Sequence, residues 1–260
     1  MTDQNPIPSI WTAATHAWAD AFHAIARMWR LALIACLILG LFQIALWEIM
    51  ARDLLDLSHS SAGAIAAQSV LGVLQAVCMT PFAIAVHRFV LLGEVASGYR
   101  LNFRDLRFRR FASNAAQLAL LYQAPNLLGT IILHQAPLLG ALLVLVLRIV
   151  VVIISIRVII LFPAVAVDAA RPSWQNAVAD VRGHSWRVFF TVFVTSLPLA
   201  LLAIVLIIPL VASAFAHGGK FQGISTLPIA IAGSILVLLT TTILLALASR
   251  LYRALGASLG

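Results

Sequence analysis

From Leu138 to Phe162 the chain is Leu, Ile, Val and Phe, interrupted only by Gly140, Ala141, Ser155 and two arginines, Arg148 and Arg157. No acidic residue falls in that run. A helix that crosses a bilayer needs about 20 predominantly apolar residues. In hydrocarbon every backbone amide must be satisfied within the segment or in a closed barrel, and this run is too long for a barrel strand. The two arginines are then the anomaly. An Arg at the centre of a spanning helix costs ~2.5–3.5 kcal/mol on the insertion scale. Each Leu, Ile, Val or Phe returns roughly 0.3–0.6 kcal/mol, and twenty such residues in the run offset both charges. Insertion is feasible, so the position of Arg148 needs a reason of its own.

The pattern recurs along the chain. Six segments are long enough to cross, at about 31–50, 64–92, 112–134, 138–163, 187–212 and 228–250. They predict an all-α, polytopic membrane bundle of six transmembrane helices over residues 31–253. Composition agrees: 62% of residues are hydrophobic and 10% charged, against about 25% charged in a soluble domain. Residues 1–8 are polar, read as a disordered tail, and show no cleavable signal pattern.

The net charge of +8 comes almost wholly from arginine, Lys220 being the single lysine. In a soluble chain such an excess would suggest nucleic acid. Here the distribution explains it, and no nucleic-acid partner is expected. With the N-terminus inside, Arg27, Arg30, Arg88, Arg100, Arg104, Arg107, Arg109, Arg110, Arg171, Arg182, Arg187, Arg250 and Arg253 are cytoplasmic, while only Arg52 and Lys220 are outside. The positive-inside rule therefore predicts that both termini are cytoplasmic.

Residues 9–30 read as an interfacial amphipathic helix. Trp11, Trp18, Phe22, Ile25 and Trp29 recur at helical spacing, and Ser9 is a candidate N-cap. Tryptophans at headgroup depth suit a helix lying flat on the inner face, with docking to a partner protein or a second copy as the rival reading. A second short helix is expected from Ser173 to Arg182, capped by Ser173 and ended by Gly183.

Arg148 is the sharpest candidate for chemistry. Gln43, Gln68, Gln75, Gln117, Gln123 and Asn126 all fall in other spans, and such amides tend to face the bundle interior. Arg148 with Gln75, Gln117, Gln123 and Asn126 thus makes either a structural polar network or an anion site. Arg157 lies near the inner boundary, within snorkelling reach of headgroups, with Asp168, Asp180 or Asp105 as possible salt-bridge partners. At 100° per residue it falls on the opposite face from Arg148, so the two are not expected to grip one phosphate. Arg100, Arg104, Arg107, Arg109 and Arg110, interleaved with aromatics, are expected to attract anionic inner-leaflet lipids by roughly 1 kcal/mol per charge. No metal site, cofactor or catalytic motif is expected. The histidines are scattered, Cys36 and Cys78 sit in apolar segments, and no HExxH, GxxxxGK[ST] or GxSxG pattern occurs.

The stretch RVIILFPAVAVDAARPSWQNAVADVRGHSWRVF, with RFVLLGE and FRDLRFRRF upstream, resembles the YciC-type six-helix inner-membrane proteins. It is similar too to the membrane domain of some bacterial glycerophosphodiester phosphodiesterases. That resemblance implies a bacterial inner-membrane protein without an assigned reaction. In the fused enzymes hydrolysis belongs to a separate domain with a His-Arg motif and metal-binding carboxylates. His87-Arg88 has no acidic cluster after it, so no phosphodiesterase activity is expected. The function expected is non-enzymatic support of envelope or lipid homeostasis, or scaffolding of a membrane partner, with transport of an anionic or lipid-like solute past Arg148 as the alternative.

Overall fold

The computed structural model describes residues 9–55, 62–133, 137–216, 226–256 and Leu259. The tail expected at 1–8 and most of the residues expected in outer loops lie outside the described residues. Among the described residues there are nine helices and no strand. They are α1 (Ile10–Arg27), α2 (Trp29–Leu55), α3 (Ala62–Leu92), α4 (Leu106–Leu133), α5 (Pro137–Val158), α6 (Leu161–Ala166), α7 (Trp174–Val181), α8 (Ser185–Ala216) and α9 (Thr226–Leu255).

Among the described residues, five helices are long and apolar enough to cross a membrane, over Trp29–Ile49, Gly63–Leu92, Leu138–Val158, Ser185–Ile208 and Leu227–Leu255. The segment expected as a further crossing, 112–134, falls in α4 as far as Leu133, and residue 134 lies outside the described residues. Ser113, Asn114, Gln117, Gln123 and Asn126 lower its hydropathy, and its first turn carries Arg107, Arg109 and Arg110.

Local rules account for the helix ends. Ser9 Oγ accepts from the Thr12 amide at 3.1 Å and caps α1. Ser173 Oγ accepts from Asn176 at 3.2 Å and caps α7. Gly183 follows α7 with φ +86°, the left-handed region open to glycine.

The run expected as one helix over 138–163 is two. α5 stops at Val158 and α6 restarts at Leu161. Pro163 is the physical cause: it has no N–H for the Ile159 carbonyl, and its ring clashes with that carbonyl in a regular helix. The break turns α6 into the protein, where Ile160, Leu161, Ala164 and Ala166 are fully buried.

The helix α1 buries alanines. Ala13, Ala14, Ala17, Ala21 and Ala24 form its hidden face, packed towards α8 and α9. Trp11 is 71% exposed and Phe22 and Trp29 are also exposed, while Trp18 turns partly inward and donates from Nε1 to the Thr195 carbonyl at 3.1 Å. Small residues let helix backbones approach closely, which suits helix packing in lipid.

The arginine-rich ends of the helices meet at one end of the bundle. Arg88 makes a two-pronged bond to Glu94, both at 2.7 Å, and reaches the Ala166 carbonyl at 3.2 Å. Arg253 donates to Val90 O at 2.9 Å, and Arg250 pairs with Asp20 at 2.6 Å. Tyr99 Oη donates to the Cys78 carbonyl at 2.5 Å and ties the 93–105 connection to α3; burial above all pushes its pKa up to about 12. The largest buried cluster lies at this end and includes Ile156, Ile160, Leu161, Val181, Val188, Leu247 and Leu251. By contrast, α5 and α8 expose rows of Leu, Ile and Val, including Leu138, Leu142, Leu145, Val205 and Ile208. Patches of that extent mark a surface solvated by something other than water.

Candidate functional site

Arg148 finds an amide. Its Nη2 donates to Asn126 Oδ1 of α4 at 2.7 Å, and Asn126 Nδ2 donates to Gln123 Oε1 at 3.0 Å. Position i to i+3 on a helix places these two amides on one face. The result is a short chain from a charged donor through two neutral amides. Gln123 in turn lies beside Gly72 of α3, where an added Cβ would come 3.5 Å from Gln123 Nε2. The other two amides grouped with Arg148 stand apart from that chain. Gln117 is exposed and donates to Ser113 of its own helix at 3.5 Å. Gln75 is part-buried on α3.

Arg148 and Arg157 line one groove. The groove, about 490 Å³, lies between α5 and the start of α8 and includes Ile149, Val152, Ile153, Ile156, Trp186 and Phe189. Nine residues at 100° each put the two arginines on opposite sides of α5, and the stripe Ile149–Val152–Ile153–Ile156 runs between them. One arginine flanks it on each side, roughly 14 Å apart along the axis at 1.5 Å per residue. Both arginines are exposed, as is Trp186.

The cluster 100–110 is divided by the fold. Arg107 donates from Nε to Asp168 Oδ1 at 3.0 Å, and its Nη2 reaches Oδ2. Asp168, one of the partners expected for Arg157, is therefore taken by Arg107. The hydrogen bond from Arg107 holds its carboxyl below the usual range. Arg100 and Arg104 are exposed on the connection before α4.

Arg109 and Arg110 enter a cavity of about 890 Å³ with Arg171, Ser113, Asn114, Ser173, Gln175 and Asn176. Three guanidinium groups line it and no carboxylate does. One wall is the capped first turn of α7, whose amides carry the positive end of the helix dipole. Its walls are tied together: Trp174 Nε1 donates to Asn114 Oδ1 at 2.9 Å, Asn176 Nδ2 to Arg171 O at 2.9 Å, and Arg171 N to Leu259 O at 3.2 Å. The charge of such a lining is complementary to an anion. Arginine forks suit phosphate oxygens in particular.

Two residues escaped the sequence reading. Arg171 was only one of thirteen arginines expected on the inner side, and nothing local ties it to Arg110, sixty-one positions away. The Ser-led helix after it was the signal that could have. His87 looked like a scattered histidine, yet it is fully buried against Ser249 of α9, with their nearest atoms 2.8 Å apart. Comparison with protein-family models, curated proteins and solved structures finds no match to this chain, so the geometry of these sites carries the functional argument.

Proposed function

We propose that this chain is a non-enzymatic, multi-pass protein of the bacterial inner membrane that holds anionic lipid at its arginine-rich, cytoplasmic end, in support of envelope or lipid homeostasis. One observation carries the reading: the cavity of Arg109, Arg110 and Arg171, with three cations, no carboxylate and a helix N-terminus in its wall. A phosphate there meets guanidinium forks beside the positive end of the α7 dipole. The position of the cavity supports it, at the end of the bundle where Arg88, Arg107, Arg250 and Arg253 also gather.

In this reading α4 is a sixth crossing and α1 lies at the inner interface. The helix α4 has 28 residues, about 42 Å at 1.5 Å per residue, which exceeds a hydrocarbon core of about 30 Å. It starts beside Asp168 and carries Asn126 to the middle of α5. Both termini are then cytoplasmic. The exposed Trp11, Phe22 and Trp29 suit headgroup depth. A single Cys in place of Arg104, with Cys36 and Cys78 removed, that is labelled from the outside overturns this topology.

The lipid test is native mass spectrometry of the full chain from vesicles holding phosphatidylglycerol and phosphatidylcholine. Retained phosphatidylglycerol is expected, falling about tenfold in a combined Arg109→Gln, Arg171→Gln variant. Equal retention of both lipids, or no effect of the variant, overturns the reading. The groove of Arg148 and Arg157 favours a second reading, passage of an anionic solute along α5. Selective anion flux in proteoliposomes that is lost in Arg148→Leu would replace the first reading with this one.

A further inference from the structure

Arg148 lies midway along Leu138–Val158, the apolar part of α5. It is exposed, and it lines the groove of about 490 Å³ between α5 and the start of α8. A guanidinium has five N–H donors. Among the described residues one hydrogen bond engages those of Arg148, from Nη2 to Asn126 Oδ1, and that acceptor is neutral. Arg157, at the other side of the groove, has no ion pair among the described residues, and Asp168 is held by Arg107.

A charged side chain at membrane depth is paired with an opposite charge or faces a hydrated path. This chain does not supply the opposite charge. Of its nine acidic residues none falls in 106–167 or in 181–260. The five apolar helices hold one, Glu48, next to the end of the apolar part of α2. A second copy has the same sequence, so a homodimer brings no carboxylate to the level of Arg148 either. A lipid phosphate stays at the interface, whereas Arg148 lies about 15 Å from either end of the apolar part of α5 at 1.5 Å per residue.

The rest of the groove has the pattern of a helix-packing face. Ile149, Val152, Ile153 and Ile156 stand at i, i+3, i+4 and i+7 on α5, and Ile149, Val152 and Ile153 are exposed. Trp186 and Phe189 of α8 line it too, with their rings edge-on and 5.9 Å apart, and Trp186 is 75% exposed. A helix packed on such a stripe runs roughly 8–10 Å from its neighbour, axis to axis. An Asp or Glu on its facing side then reaches an arginine at the edge of the stripe.

We infer that the α5–α8 groove seats a transmembrane helix of a different protein, one that carries a carboxylate at the level of Arg148. The carboxylate takes donors that Asn126 leaves open, while apolar residues of the same helix cover the Ile149–Val152–Ile153–Ile156 stripe. Asn126 holds the guanidinium ready at the surface of α5. Arg157 offers a second cation to an acidic residue near the inner end of the partner's span. The inference is independent of the anionic-lipid reading, because no residue of this groove lines the cavity of Arg109, Arg110 and Arg171.

The test uses the full chain, with Cys36 and Cys78 replaced by Ala, in phosphatidylcholine vesicles. The probe is a synthetic spanning helix of Leu and Ala with Glu, Gln or Leu at its centre and a cysteine one turn before or after it. Val152→Cys, one turn from Arg148, reports on the groove, and Leu37→Cys, on an exposed part of α2, reports on chance collisions. Oxidative cross-linking at Val152→Cys is expected to be roughly fivefold higher with the Glu helix than with the other two. No such excess at Leu37→Cys is expected. Equal yields with Glu and Leu, or with Glu and Gln, overturn the inference, and an equal excess at Leu37→Cys overturns the location. Arg148→Gln is expected to remove the preference for Glu, and a preference that survives it overturns the role of Arg148. Should that variant not fold, the three helices against the parent arginine decide the matter alone. Loss of the preference when phosphatidylglycerol is added overturns the inference in favour of a lipid occupant.

Discussion

Arg148 Nη2 and Asn126 Oδ1 face each other across the α4–α5 interface at 2.7 Å, mid-helix in the most apolar segment of the chain. The arginine was conspicuous in the sequence, and its partner is one of six amides that were equally available there. The bond joins the least apolar long helix to the most apolar one. A double-mutant cycle over Arg148→Leu and Asn126→Leu is expected to give a coupling of about 0.6–1.7 kcal/mol, the range for polar pairs between helices in membranes. It is read from unfolding in mixed micelles. A coupling near zero means that the pair adds nothing to the fold.

The tie between Arg107 and Asp168 should respond to acid. The folded pKa of Asp168 is depressed below 3.8, chiefly by the Arg107 hydrogen bond. Its contribution is therefore present above about pH 4 and lost as pH falls through the lower, folded value. Asp168 is 54% exposed, so solvent screening limits the pair to about 0–1 kcal/mol. Asp168→Asn is expected to lower thermal stability slightly at pH 7, with the difference from the parent chain narrowing as pH falls below 3.8 and through the lowered folded value. A difference that persists unchanged over that fall would assign the loss to something other than the carboxylate.

Binding of anionic lipid at the Arg109, Arg110 and Arg171 cavity should weaken with salt, because these side chains are exposed. The screening length falls from about 10 Å at 0.1 M to about 3 Å at 1 M. Retained phosphatidylglycerol is expected to drop several-fold over that range. Retention that is unchanged between the two salt concentrations would assign it to something other than the exposed guanidinium groups.

Gly183 separates backbone from packing. Its φ is +86°, and nothing lies within 4 Å of a Cβ added there. Gly183→Ala is expected to destabilise by about 1–2 kcal/mol through the left-handed backbone alone. Gly98→Ala, also in open space but without the positive φ, is expected to stay within about 0.5 kcal/mol. Thermal scans of both variants check the contrast.

What was legible in the sequence follows the range of the forces involved. Ser9, Ser173 and Gly183 act within four residues, and each does what its type and spacing implied. The break before α6 was equally local, since Pro163 removes one hydrogen bond, but the length of the apolar run masked it. The groove that Arg148 and Arg157 line is not legible from two azimuths alone, which leave out the apolar stripe between them. The partners Asn126 and Asp168 depend on how α4 packs, which no periodicity within α5 or α6 records. On α1 the large tryptophans dominated the apolar pattern, whereas the buried contact is made by alanines, whose side chains each bury little area.

That alanine face has a practical consequence for dissecting the protein. A chain shortened to begin at the first crossing would not merely lose a surface anchor. It would strip the cover from Thr195 and from the Ile243–Ala246 patch that α1 closes through Trp18 and Ala21, leaving a trough along α8 and α9 that detergent or a neighbouring chain would fill. Aggregation or altered oligomerisation of such a truncated protein would report on that trough rather than on any task of the N-terminus, so the first helix is better probed by single bulky replacements at Ala17 or Ala21 than by deletion.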